Sequence, residues 1–111
     1  MSAKEEIYEA ISSLGLTVAY RDADLADLPR VSFLLSYNND LRLSNKVHTK
    51  RPVYEVDYFT REPQDVEDSE VLKSITKVLE EKYFLVTAWE EDTSFENEMT
   101  TGIYRYYAEV K

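Results

Sequence analysis

No cysteine occurs anywhere in the 111 residues. Disulfides, thiolate nucleophiles and cysteine-ligated zinc are therefore excluded together, and synthesis in the cytosol is compatible with that usage. Two glycines and three prolines are too few for a low-complexity or collagen-like chain. No apolar run approaches the ~18 residues that suggest a membrane-spanning helix. The opening segment MSAKEEIYEA is polar and acidic, without the apolar centre of a signal peptide. Histidine occurs once, as His48, between Val47 and Thr49. A general base needs a positioned partner and a pocket, and this polar stretch supplies no Cys or Ser motif beside it. The GxSxG, P-loop, HExxH and GxGxxG patterns are missing as well. The expectation is a protein that is not an enzyme and carries no cofactor or metal.

What is present is a core and an uneven distribution of charge. Hydrophobic residues make up 43% of the chain and aromatics 13%, enough to exclude a wholly disordered chain. At this length the chain is one domain, residues 1–111. The net charge is -9, which disfavours nonspecific binding to nucleic acid. Two stretches are purely acidic: Glu62, Asp65, Glu67, Asp68 and Glu70, then Glu90, Glu91, Asp92, Glu96 and Glu98. Residues 42–51 hold Arg42, Lys46, Lys50 and Arg51 with no acid among them. The acidic stretches lack the spacing and the turn glycine of an EF-hand, so a solvated or interface role is the expectation.

Ser2 and Glu5 have capping-box spacing, so a helix is predicted from Ala3. Ile7, Ile11 and Leu14 share its apolar face, and Gly15 is placed to end it. Leu16, Val18 and Tyr20 alternate as a short strand, and residues 21–30 read as a loop. Val31, Phe33, Leu35 and Tyr37 give the cleanest strand pattern, with a turn expected at Asn38-Asn39-Asp40 and a short return at 41–44. Residues 45–52 read as a flexible basic loop or an extended hairpin tip. Residues 53–61 are predicted as a strand, 68–83 as an amphipathic helix capped by Asp68 or Ser69, and 84–90 and 103–110 as two more strands. Flexible loops are expected near 21–30, 44–52 and 90–101. The class is α+β: a mainly antiparallel sheet of about four to six strands with two helices packed on one face. Nine tyrosines suit both sheet faces and interfaces, and Tyr104 and Tyr106 are candidates for contact with a partner.

The phrases RPVYEVDYFTREPQD, SEVLKSITKVLEEKYF and MTTGIYRYYAEV, taken in order, resemble the tail terminator (tail-to-head joining) proteins of long-tailed bacteriophages. The Thr101-Gly102-Ile103 step into Tyr104-Arg105, the first helix and the PRVSFLLSY strand fit the same pattern. The resemblance covers nearly the whole chain. It implies a structural virion protein, made in the host cytoplasm, that forms a homo-hexameric ring. Such a ring caps the tail tube protein, meets the head connector protein, and lets DNA pass through its lumen without specific binding. Arg42, Lys46, Lys50 and Arg51 are then expected to contact a neighbouring subunit or partner. Glu90, Glu91, Asp92, Glu96 and Glu98 are expected to form the complementary or lumenal acidic surface. Another neck or head-completion protein, or a small αβ adaptor, is the alternative.

Overall fold

Ser2 sets the start of the first helix: its hydroxyl accepts the Glu5 backbone N–H at 3.2 Å, satisfying one donor of the first turn. In the computed structural model, residues 2–22, 26–43, 46–92 and 102–111 are described, with backbone alone over 37–43 and 46–51. The elements are α1 (Ala3–Ser12), β1 (Thr17–Tyr20), β2 (Arg30–Leu43), β3 (Lys46–Thr60), α2 (Glu70–Glu80), β4 (Glu90–Glu91) and β5 (Tyr104–Val110). The class is α+β. One five-stranded sheet has the order β1-β2-β3-β5-β4. Among the described residues only the β1–β2 pair is parallel.

Both helices press on one sheet face. Ile7 and Ile11 of α1 and Leu72, Ile75 and Leu79 of α2 are buried there against Val31, Phe33, Val56, Tyr106 and Val110. Each such aliphatic side chain contributes about 2 kcal/mol on removal from water. The α2 stripe follows the predicted period, and Ser69 is its cap, its hydroxyl accepting the Leu72 N–H at 3.3 Å. Among the described residues, no helix is long and apolar enough to cross a membrane.

The largest departure from expectation is the β2–β3 hairpin. No turn forms at Asn38-Asn39-Asp40. The strand runs through them, pairing Asn38 with Pro52, Asn39 with Arg51 and Asp40 with Lys50. Residues 46–52, read as a flexible loop or an extended hairpin tip, are strand, as the second alternative has it; β2 ends at Leu43 and β3 begins at Lys46. Asn and Asp favour turns locally, but fourteen- and fifteen-residue strands gain a continuous ladder by passing through them. Single extra residues at Ser36 and His48 shift the register, and such bulges bend and twist a ribbon.

The predicted strand at 84–90 is also broken. Leu85 exchanges backbone hydrogen bonds with Lys111, Val86 bridges to Val110, and regular pairing resumes at Glu90 with Tyr107. One extra residue is accommodated between them, so this edge carries a bulge. Trp89 explains it. Its side chain is buried, and its indole N–H donates to Thr76 Oγ1 at 2.9 Å. Thr87 Oγ1 meanwhile accepts the Glu109 N–H at 2.8 Å.

Candidate functional site

The sheet is longer than its supports. β1 covers β2 only from Arg30 to Phe33, and β5 covers β3 only from Tyr54 to Thr60. From residue 37 to 43 and 46 to 53 the two strands pair with each other alone. Seven residues of strand extend about 23 Å. The molecule measures 51 × 29 × 25 Å, so a two-stranded ribbon of that reach accounts for its elongation.

All four basic candidates fall on this ribbon. Arg42 registers with Val47, Lys46 with Leu43, Lys50 with Asp40 and Arg51 with Asn39. Against these four cations the ribbon holds one acid, Asp40. The ribbon is thus positive while the rest of the chain carries the whole negative balance. At physiological salt the Debye length is about 8 Å. The ribbon tip therefore feels little of the field from the body.

The acidic candidates do not share one fate. Glu90 and Glu91 are exposed on β4, at the sheet edge. Asp92 is taken up within the molecule: its carboxylate pairs with Arg105, and its backbone N–H donates to Arg105 O at 3.0 Å. That corrects its expected place on an open acidic surface. Glu96 and Glu98 lie outside the described residues. Glu62, Asp65, Glu67 and Asp68, on the turn that joins β3 to α2, and Glu70, the first residue of α2, are all exposed. That turn is built by Asp65, whose side chain accepts the Glu67 N–H at 2.9 Å and whose carbonyl accepts the N–H groups of Asp68 and Ser69.

Tyr106 needs a second correction. It is wholly buried, and its hydroxyl accepts the Gln64 N–H at 2.7 Å. It anchors the acidic turn from below rather than meeting a partner. Tyr104 is half-buried against the same core.

Sequence reasoning missed a charged cluster on the face opposite the helices. Arg105 on β5 reaches Glu55 at 3.1 Å and Asp57 at 2.6 Å, both on β3, as well as Asp92. The Asp57 contact is an ion pair without hydrogen-bond alignment, since Asp57 Oδ1 has no hydrogen bond. Asp57 is 5% exposed. Burial pushes its carboxyl up to about 7, Arg105 opposing and Glu55 reinforcing the shift. Burial disfavours the Arg105 charge, yet Asp57, Asp92 and Glu55 hold its pKa above the ordinary arginine value. The Arg105 guanidinium also sits 4.7 Å from the Tyr107 ring centre. The i, i+2 spacing of Glu55 and Asp57 put both on one strand face, but only the register with β5 brings Arg105 to them.

Two of the shallow clefts on the body lie towards opposite ends of β3. One, of about 450 Å³, lies at the base of the ribbon beside Pro52 and Tyr83. The other, of about 470 Å³, lies among Tyr58, Glu62, Asp65, Asp68 and Glu70 at the far end of β3. Asp57 lines neither. Among the described residues no three metal-ligating side chains converge. The chain matches no protein-family model, and no curated protein matches it in sequence.

Proposed function

We propose that this chain is a non-enzymatic structural protein of a phage tail, the tail terminator. In this reading its copies close into a ring of six that caps the tail tube and meets the head connector. The ring sits in the virion after synthesis in the host cytoplasm, and DNA passes through its lumen without specific binding. The observation that carries the reading is the basic ribbon projecting from an acidic body. A two-stranded ribbon alone is marginally stable in water, so a surface to lie on would stabilise it. Unlike, complementary surfaces on identical copies make head-to-tail contacts, which close into rings or extend into filaments. Exposed carboxylates such as Glu90 and Glu91 would keep a lumen from gripping DNA, since like charge repels the phosphates. Another neck protein would share these features and differ in its partner.

The test replaces Lys50 and Arg51 with Glu together. The ribbon lies outside the body, so at a dilution where the wild type is also one chain the unfolding midpoint is expected to stay put, while at assembling concentration the native mass falls towards one chain. An unchanged oligomer mass in that variant refutes the ribbon's role. A closed dimer in the wild type favours the adaptor reading instead.

A further inference from the structure

Helix α2 ends in a way its sequence resists. Phe84 N–H bonds to Leu79 O at 3.2 Å and Tyr83 N–H to Glu80 O at 2.9 Å, the paired bonds of a Schellman cap. The position that such a cap twists into the left-handed region usually holds glycine. Here it holds Tyr83, at φ 69°. A residue with a Cβ adopts that conformation at a cost. The side chain recovers nothing from the body in return, because Tyr83 is 96% exposed. Leu85, two residues on, is 68% exposed. The cap hydrogen bonds and the packing of Phe84 on the core hold the turn, but any glycine would serve them, so a strained tyrosine kept there is a pointer to function. An exposed tyrosine is a frequent binding anchor, and the exposed leucine beside it adds apolar surface to bury.

These two side chains border the cleft at the ribbon base, whose walls also include Glu6, Pro52, Lys82 and Lys111. The charged side chains of the rim are thus two lysines and one glutamate. The opposite end of the molecule has the opposite character. β3 runs from the ribbon down to Thr60, and α2 runs back from Glu70 towards the ribbon base. Both elements therefore place the exposed Glu62–Glu70 turn at one end and the cationic, aromatic cleft at the other. That turn also presents an exposed Pro63 and a half-buried Val66. We propose that the Tyr83–Leu85 cleft seats the Glu62–Glu70 turn of a second copy, with the ribbon continuing the same contact surface. This rests on the reading that the chain self-assembles, and it names the two faces that meet.

The direct test is Tyr83→Gly. Relief of the strained cap raises the urea midpoint of the dilute single chain, while loss of the anchor weakens self-association about tenfold or more. A purely structural residue would not move the two in opposite directions. Leu85→Ser, at an exposed position, provides a second variant and is expected to weaken association with little change in unfolding. A charge swap then checks the occupant. Lys82→Glu/Lys111→Glu copies and Glu62→Lys/Glu67→Lys copies should each associate poorly alone and co-assemble when mixed. Tyr83→Gly and Leu85→Ser assembling like the wild type overturn the seat while leaving the ring reading standing. Failure of the swapped pair to co-assemble overturns the acidic turn as occupant. A wild type that never associates overturns the assembly reading itself.

Discussion

Replacing Arg105 with leucine removes the cation that contacts Glu55, Asp57 and Asp92. Breaking a buried ion pair by deleting one member costs about 3–5 kcal/mol, because the other charge stays behind in low dielectric. Arg105 is 20% exposed and Glu55 29%, so water screens part of that penalty. The expected loss is about 2–3 kcal/mol near neutral pH. Its pH dependence follows from Asp57. Among the described residues Arg105 is the group that lowers the Asp57 pKa, and without it Asp57 escapes the penalty by holding a proton. The loss is therefore expected to be greater at about pH 8 than at about pH 5. Urea unfolding followed by circular dichroism, at both pH values, reads this directly. A loss below about 1 kcal/mol, or one equal at the two pH values, would refute the view that a buried, undercompensated carboxylate dominates this face.

The remaining predictions concern the same cluster and the acidic turn. Asp57 has a folded pKa of about 7 against 3.8 for the free group. Between those values the folded state keeps a proton that the unfolded state has lost, so its stabilising effect is lost as pH rises through the folded pKa. Asp57→Asn should remove that slope, making the variant compare better with the wild type at high pH than at low. A pH–stability profile with unchanged slope rejects it. Ser69→Ala should cost about 1–2 kcal/mol, since the hydroxyl both caps Leu72 N–H and donates to Gln64 Oε1. A thermal or urea titration within a few tenths of the wild type would contradict that account.

Where one periodic signal governs an element, the fold is legible in the chain. Ser2 with Glu5 marks the first helix, and Ile7 and Ile11 mark its buried face. Leu72, Ile75 and Leu79 do the same for α2, and Val31 and Phe33 for β2. The misreadings lie where a tertiary preference overrides a local one. Asn38-Asn39-Asp40 are good turn formers, but the partner strand extends them. Trp89 breaks an otherwise regular strand because its ring reaches the core and its N–H reaches Thr76. Tyr106 resembles its tyrosine neighbours in sequence, and only the register of β5 turns it inward. The ion-pair cluster needs three strands in register before Arg105 can meet Asp57 and Asp92. The left-handed Tyr83 gives no sequence signal, since a tyrosine announces nothing about its own φ.

We propose that basic and acidic ends of this chain bring copies together. Light scattering of the wild type from micromolar to millimolar concentration, at low and physiological salt, tests it most directly. The account expects the mass to climb towards six times the 13.0 kDa chain as concentration rises, and to fall as salt screens the contact. A mass of one chain across the whole range, indifferent to salt, would contradict it.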